Sequence, residues 1–138
     1  MRLAVDLFKR IAPSLPSTFK GGTLRKLQRD FEANKFHSND STAVGTRSGE
    51  LQAGYCGALK VQLYLSTAGK GGGTRFMTDI NPDAPYVECD AKRGRVLVFE
   101  PGLLHQEALV ETGIKYTLTT NAIFDSINAD DTKAPRDD

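Results

Sequence analysis

One histidine and one lysine, ten residues apart, are the side chains of this sequence best placed to do chemistry together. His105 follows the dipeptide Pro101-Gly102, and Lys115 follows Gly113 at the start of the next apolar segment. Two strands that fold back on each other as a hairpin would bring the imidazole beside the ammonium group. The histidine could bind a metal, and a small dicarboxylate chelated there would place its far carboxylate near the lysine. The spacing therefore predicts a combined metal and anion site.

Each of these two residues also has an ordinary interpretation. A single histidine on a strand is more often a hydrogen-bonded core or surface group than a metal ligand, and most strand lysines are solvated. In an extended strand Lys115 shares a face with Thr117, Thr119 and Asn121. That polar row fits a solvent-facing surface and the lining of a polar cavity equally well, so the alternation leaves both open.

Further candidate metal ligands lie in a polar segment near residue 40. His37 and Asp40, which lie close to Asn39 and Ser41, would complete a set of two histidines and one carboxylate with His105. Such a facial triad leaves three positions of an iron ion open. A histidine among Ser, Asn and Asp residues is otherwise simply solvated.

The glycine-rich loop at residues 70 to 74 invites a phosphate-binding interpretation that its sequence does not support. A P-loop needs Gly-x-x-x-x-Gly-Lys-Ser/Thr at the start of a helix, whereas the order here is Lys-Gly-Gly-Gly-Thr with no helix predicted. Close packing or a tight turn is the favoured role for these glycines.

Composition indicates an ordinary soluble domain. The chain has 138 residues, of which 39% are apolar and 25% charged, enough for one domain with a real core. A net charge of +1 gives no electrostatic reason to expect nucleic acid as a partner, and no apolar run is long enough to cross a bilayer. Cys56 and Cys89 are expected to be free thiols in a reducing compartment, so we expect a cytoplasmic protein.

The hydrophobic pattern predicts one helix followed by short strands. Leu3, Leu7 and Ile11 repeat at helical spacing, and Pro13 ends the helix. Residues 34 to 57 are polar, which predicts a long functional or mobile loop. Strands are predicted at residues 23 to 31 (a short helix is the alternative), 59 to 65, 75 to 78, 86 to 89 and 95 to 99, with a hairpin of 105 to 110 and 114 to 124.

These elements favour a mainly β fold. No helix is predicted between the strands after residue 57, which excludes a parallel α/β sheet and favours an antiparallel sandwich or jelly roll. The domain is expected to span residues 1 to 124. Residues 125 to 138 form an acidic tail with few apolar side chains, which we expect to be disordered.

The order of several short motifs resembles the prolyl 4-hydroxylase branch of the 2-oxoglutarate- and Fe(II)-dependent dioxygenases. The resemblance runs along nearly the whole chain, and it is the order and spacing of the motifs that make it specific. The strongest matches are Val61–Leu65, Gly71–Phe76, Gly94–Phe99, Leu104-His105 and Gly113–Leu118, with weaker ones at Ala12–Pro16, Leu24-Arg25 and Phe31–Phe36.

The resemblance implies a double-stranded β-helix (jelly roll) with one N-terminal helix. It implies His105 as the second iron-binding histidine and Lys115 as the cation for the far carboxylate of 2-oxoglutarate. Fe(II) and 2-oxoglutarate would be the cofactor and cosubstrate, with ascorbate as a further reductant. In this family the cosubstrate is decarboxylated to succinate and a C–H bond of a peptidyl, often prolyl, or small-molecule substrate is hydroxylated.

The first iron motif of the family departs from its pattern here. The family has His-x-Asp a few residues after a phenylalanine like Phe36, and the ungapped positions are Asn39 and Ser41. With a small deletion, His37 and Asp40 take these roles, but a spacing of three residues needs a turn or bulge to bring both side chains to one face. The alternative is a non-catalytic relative that has lost iron and binds a peptide or small acid; a cupin-like binder of the same fold gives Lys115 no role.

Overall fold

A computed structural model describes residues 2–42 and 55–126 of the chain. Within those two ranges no helix is long and apolar enough to span a membrane. The elements are α1 Arg2–Ile11, followed by a short 3-10 turn Ala12–Ser14, and β1 Thr18–Phe19, β2 Gly22–Leu27, β3 Glu32–Phe36, β4 Tyr55–Tyr64, β5 Lys70–Gly71, β6 Thr74–Met77, β7 Tyr86–Cys89, β8 Val96–Phe99, β9 His105–Glu107, β10 Val110–Thr112 and β11 Lys115–Ser126.

Helix α1 forms where its amphipathic repeat predicts. Leu7, Phe8 and Ile11 pack against the apolar core, while Lys9 and Arg10 lie in the last turn, where cations interact favourably with the helix dipole. The helix gives way to a 3-10 turn containing Pro13, since proline interrupts the helical hydrogen-bond ladder. The predicted helix is confirmed.

Strand β11 is the centre of a six-stranded antiparallel sheet, the large sheet. Its order is β1-β2-β11-β4-β8, and β3 pairs with β11 beside β2. Strand β2 pairs with the last residues of β11 and β3 with the first, so that Lys115 lies opposite Phe36. On its other edge β11 pairs with β4 along most of its length. The start of β11 is therefore held between two neighbouring strands.

Two smaller sheets form the second layer. Their orders are β7-β6-β9 and β10-β5. The segment at residues 39 to 42 continues this layer, because Asn39 donates its N–H to Val110 O and Thr42 donates its own to Glu107 O. The resulting two-layer antiparallel arrangement with one helix in the described residues confirms the predicted mainly β jelly-roll fold.

The two faces of the large sheet have different characters. On β4, Leu59 and Val61 are buried in the apolar cluster that α1 covers. Gln62 and Tyr64, on the opposite face of β4, are also buried, but they hydrogen-bond to groups of the small sheets. Helix α1 thus closes one side of the large sheet with an apolar core, and the small sheets close the other side over polar side chains.

Three predictions need correction or extension. The predicted loop at residues 34 to 57 is partly wrong, because its first residues belong to β3 and its last to β4; residues 43 to 54 lie outside the described ranges. The predicted hairpin is wrong: β9 pairs with β6 and β10 with β5, whereas β11 pairs with β2, β3 and β4. The turn at Gly113 therefore crosses between layers. Finally, β11 continues to Ser126, two residues past the predicted domain end, and the rest of the predicted tail is not described.

Candidate functional site

Lys115 points into the space between the two layers. Its side chain is 0% exposed, and Nζ lies 2.8 Å from Glu107 Oε1 and 2.7 Å from Gly72 O. The same nitrogen lies 4.5 Å from the centre of the Phe36 ring, a cation–π distance. Thr117 and Thr119 of the same strand are also buried. The polar row of β11 therefore lines an interior, which decides between the two interpretations that the sequence left open.

Glu107 joins the candidate site, although it is not among the candidates that the motifs single out. Its side chain is 13% exposed, and Oε1 accepts hydrogen bonds from Gln62 Nε2 at 3.1 Å and Thr74 Oγ1 at 3.0 Å, in addition to the contact with Lys115. The sequence does indicate it, because Glu107 lies two residues after His105 and residues at that spacing share a strand face. Any site built around His105 should have included this carboxylate.

Tyr64 completes a closed chain of hydrogen bonds. Its hydroxyl lies 2.5 Å from Thr74 Oγ1, and burial raises the pKa of Tyr64 well above its ordinary value. The tyrosine therefore keeps its proton and donates it to Thr74, which in turn donates to Glu107. Gln62 Nε2, 3.1 Å from Thr74 Oγ1, supplies the remaining donor.

We call Tyr64, Gln62, Thr74, Glu107 and Lys115 the buried polar cluster. In it the three protons of the ammonium group have Glu107, a backbone carbonyl and an aromatic face as partners. The carboxylate faces an ammonium, an amide and a hydroxyl. A buried network with every member satisfied is stable and specifies one arrangement, whereas a partly satisfied one is costly.

The glycine-rich loop packs against this cluster. Gly72 has φ +78°, and a Cβ added there would lie 3.4 Å from Lys115 Cδ and 3.2 Å from Val110 Cγ2. A Cβ on Gly71 would collide with Leu109 O. The loop therefore serves a tight turn and close backbone approach, as its sequence predicts, and it brings the carbonyl of Gly72 to the lysine.

His105 is held by one hydrogen bond and two aromatic rings. Nδ1 lies 2.6 Å from Leu103 O, and because a carbonyl only accepts, Nδ1 carries the proton. The ring centre lies 5.0 Å from that of Phe99 and 6.1 Å from that of Phe76. With the proton on Nδ1, the lone pair lies on Nε2, which suits a metal ligand. It equally suits a histidine that fills an aromatic cluster.

His37 and Asp40 form a self-contained turn on the surface. Asp40 Oδ2 accepts the His37 N–H at 2.7 Å, and Asp40 N donates to His37 O at 3.0 Å. Asn39, between them, has φ +73°, so the expected turn is present. Both side chains are exposed, as is Ser41. The Asp40 carboxylate is therefore engaged in holding the turn.

The structure does not bring His37 and Asp40 next to His105. The turn meets the second layer at Val110, through hydrogen bonds of 2.7 and 3.1 Å. Ser38 reaches Gly113 O, and Thr42 donates its N–H to Glu107 O, so the segment runs antiparallel to residues 107 to 113, with its earlier residues beside the later ones. His37 precedes the point of contact, so it lies on the side of the turn away from His105.

The described residues do not offer a ready iron site. Across residues 2–42 and 55–126, no three His, Cys, Asp or Glu side chains group closely enough to hold a metal ion. Because the sequence has two histidines in all, a site with two histidines must use both His37 and His105. The arrangement described here does not fit the facial triad, and iron binding by these residues stays a prediction.

Among solved structures, the chain resembles a prolyl-4-hydroxylase from Pseudomonas putida. The TM-score is 0.56 at 16% sequence identity, covering 88% of this chain and 63% of the hydroxylase chain. The likeness is one of fold. A weaker match is the capsular polysaccharide assembling protein CapF from Staphylococcus aureus, at TM-score 0.44, 11% identity, 77% of this chain and 24% of that one. No protein-family model matches the sequence, and no curated protein matches it.

Proposed function

We propose that this chain is a non-catalytic jelly roll of the prolyl 4-hydroxylase type, which binds a peptide without oxidising it. The observation that carries the proposal is the placement of Asp40. Its carboxylate holds the turn of His37 at 2.7 Å, and that turn meets the second layer at Val110. Three ligands within about 2 Å of one metal ion are what iron-dependent hydroxylation requires.

The proposed binding role rests on the fold, and the proposed loss of catalysis rests on the charge arrangement inside it. The likeness to a prolyl hydroxylase supports a peptide as the partner, and a cytoplasmic location is part of the same proposal. The cation that would hold the cosubstrate, Lys115, already faces the carboxylate of Glu107 at 2.8 Å. The carboxylate of the candidate metal set and the cosubstrate cation are thus both engaged by groups of the chain itself.

The test is anaerobic addition of Fe(II) and then 2-oxoglutarate to the purified protein. A 2-oxoglutarate chelate on iron gives a visible metal-to-ligand charge-transfer band. We expect no such band, and no succinate when oxygen is admitted, from protein whose far-ultraviolet circular dichroism shows a folded β structure. A band that disappears in His105→Ala and in Asp40→Asn would overturn the proposal.

The second candidate is a 2-oxoglutarate- and Fe(II)-dependent dioxygenase acting on a peptidyl, possibly prolyl, or small-molecule substrate. One observation favours it: the hydrogen bond from Nδ1 to Leu103 O leaves His105 Nε2 available as a ligand. In this candidate His37, Asp40 and His105 hold the iron and Lys115 binds the cosubstrate. The turn that carries His37 and Asp40 would have to come together with His105, and Glu107 would have to release Lys115. Succinate formation that His105→Ala abolishes would establish this function.

A further inference from the structure

The carboxylate that faces Lys115 comes from the same chain. Glu107 reaches from β9 of one layer to the start of β11 in the other, and its Oε1 lies 2.8 Å from Lys115 Nζ. Gln62 Nε2 and Thr74 Oγ1 point at the same oxygen from 3.1 and 3.0 Å. Three donors from three different strands therefore converge on one carboxylate oxygen.

Such a convergence of one cation and two neutral donors is what a carboxylate-binding site consists of. We propose that Glu107 is the built-in occupant of a carboxylate site made by Lys115, Gln62 and Thr74, and that this site accepts a small free carboxylate only when the Glu107 side chain is removed. The inference concerns charge and shape between the layers. The site is independent of iron, because none of its four residues is among the candidate iron ligands.

The size of the occupant defines the probe. Replacing Glu107 by alanine removes two carbons and two oxygens, the heavy atoms of acetate. Replacing it by glycine removes one carbon more, the heavy atoms of propionate. The 13% exposure of Glu107 contrasts with the 0% exposure of Lys115, so the glutamate lies on the more accessible side of the pair. A free acid would enter from that side.

The experiment measures thermal unfolding of metal-free wild type and Glu107→Ala in rising sodium acetate, with sodium chloride at matched ionic strength. We expect acetate to raise the Tm of Glu107→Ala in a saturable way and to leave wild type at its chloride value. Any acetate binding to wild type should be weaker than that to Glu107→Ala by about tenfold or more. Glu107→Gly should prefer propionate over acetate, since its cavity is one carbon larger.

Two control variants separate a filled site from a general salt effect. Glu107→Gln keeps the volume of the side chain, so its site stays filled and acetate should have no specific effect. Lys115→Met/Glu107→Ala has the space without the cation, and it should lose the acetate response. Acetamide, which matches acetate in shape without its charge, should stabilise Glu107→Ala much less than acetate does.

Each remaining outcome counts against the inference. Equal acetate binding by wild type and Glu107→Ala would show that Glu107 does not occupy the site. An acetate response that survives the loss of Lys115 would place binding elsewhere. If Glu107→Ala and Glu107→Gly stay unfolded at acetate and propionate concentrations up to the molar range, a free carboxylate cannot replace Glu107 and the inference fails. Because no iron is present, these results are independent of the test of the proposed function.

Discussion

Replacing Lys115 by methionine should destabilise the protein strongly, because it leaves the Glu107 carboxylate inside without its counter-ion. Removing one partner of a buried ion pair costs roughly 3–5 kcal/mol. Lys115 is 0% exposed, whereas Glu107 is 13% exposed and keeps two neutral donors, so we expect the low end of that range. A loss of about 3 kcal/mol is a large part of the roughly 5–15 kcal/mol that holds a domain of this kind together.

The assay is urea unfolding followed by circular dichroism and by tyrosine fluorescence. With an m-value of about 1.5–2 kcal/mol per molar, that loss lowers the midpoint by about 1.5–2 M. The matched control is Lys70→Met, which breaks the pair with Glu111. That pair is 3.8 Å apart with side chains 71% and 49% exposed, and an exposed pair contributes about 0–1 kcal/mol.

A double-mutant cycle then isolates the interaction itself. Lys115→Met/Glu107→Gln removes both charges, so its loss of stability should be smaller than the sum of the two single losses by about 1–3 kcal/mol. The reasoning is refuted if Lys115→Met costs no more than Lys70→Met, or if the two single losses simply add. Either result would mean that the ammonium group does not depend on Glu107.

Three further predictions test the surroundings of the buried polar cluster. Stability should fall as the pH rises above about 10, because Tyr64 can ionise in the unfolded chain and not in the folded one, and Tyr64→Phe should make that fall shallower in urea titrations. Gly72→Ala should cost more than Gly94→Ala by about 1 kcal/mol or more, because both have positive φ but a Cβ at Gly94 meets nothing within 4 Å; equal losses in thermal unfolding would show that the loop is not crowded against Lys115. His105→Phe should keep stability within about 1 kcal/mol while His105→Ala loses about 2–3, since the ring packs on Phe99; the opposite order would indicate that the imidazole hydrogen bond matters more than the packing.

The parts of the fold that depend on local pattern could be predicted from the sequence. Tyr86–Cys89 is a strand with the predicted bounds. Helix α1 is shifted by one residue at each end from the predicted residues 3 to 12, and the strand ending at Phe99 begins one residue later than predicted. A helical repeat, or a short apolar run between turn residues, depends only on residues that are close in sequence, so it can be recognised without knowing the fold. Such patterns survive in the folded chain because packing agrees with them.

The layer to which a strand belongs could not be predicted in the same way. A short polar turn ending in a glycine suits a hairpin and a crossing between layers alike, and Gly113 has φ +85° in the crossing that is observed. Alternation likewise tells which residues share a face of β11, but not what covers that face. Thr117 and Thr119 suit water or a polar interior, so the burial of Lys115 had to come from the structure.

For the candidate site, the sequence predicts which residue types could do chemistry but not which residues they contact. The sequence predicts Lys115 as the cation for a carboxylate of the cosubstrate, and in the structure its partner is the carboxylate of Glu107. The spacing of Glu107 from His105 indicates that the two residues share a strand face, but the contact of Glu107 with Lys115 depends on pairing between layers that a hairpin would not give. The separation of His37 from His105 has a similar origin, since it follows from the contact of the turn with Val110.

The buried lysine links the stability of this chain to what it can bind. An ammonium group with no exposure needs an anion beside it, since burying an unpaired charge costs far more than a hydrogen bond returns. In a jelly roll that binds an acidic ligand, the ligand can supply that anion, and the ligand-free protein is then destabilised by an unpaired buried charge. Here Glu107 supplies it permanently, so the folded chain is satisfied without a ligand and a carboxylate gains little by competing. Stability and carboxylate binding therefore oppose each other at Lys115: variants that open the site should be the less stable ones, and a free acid should restore part of what they lose.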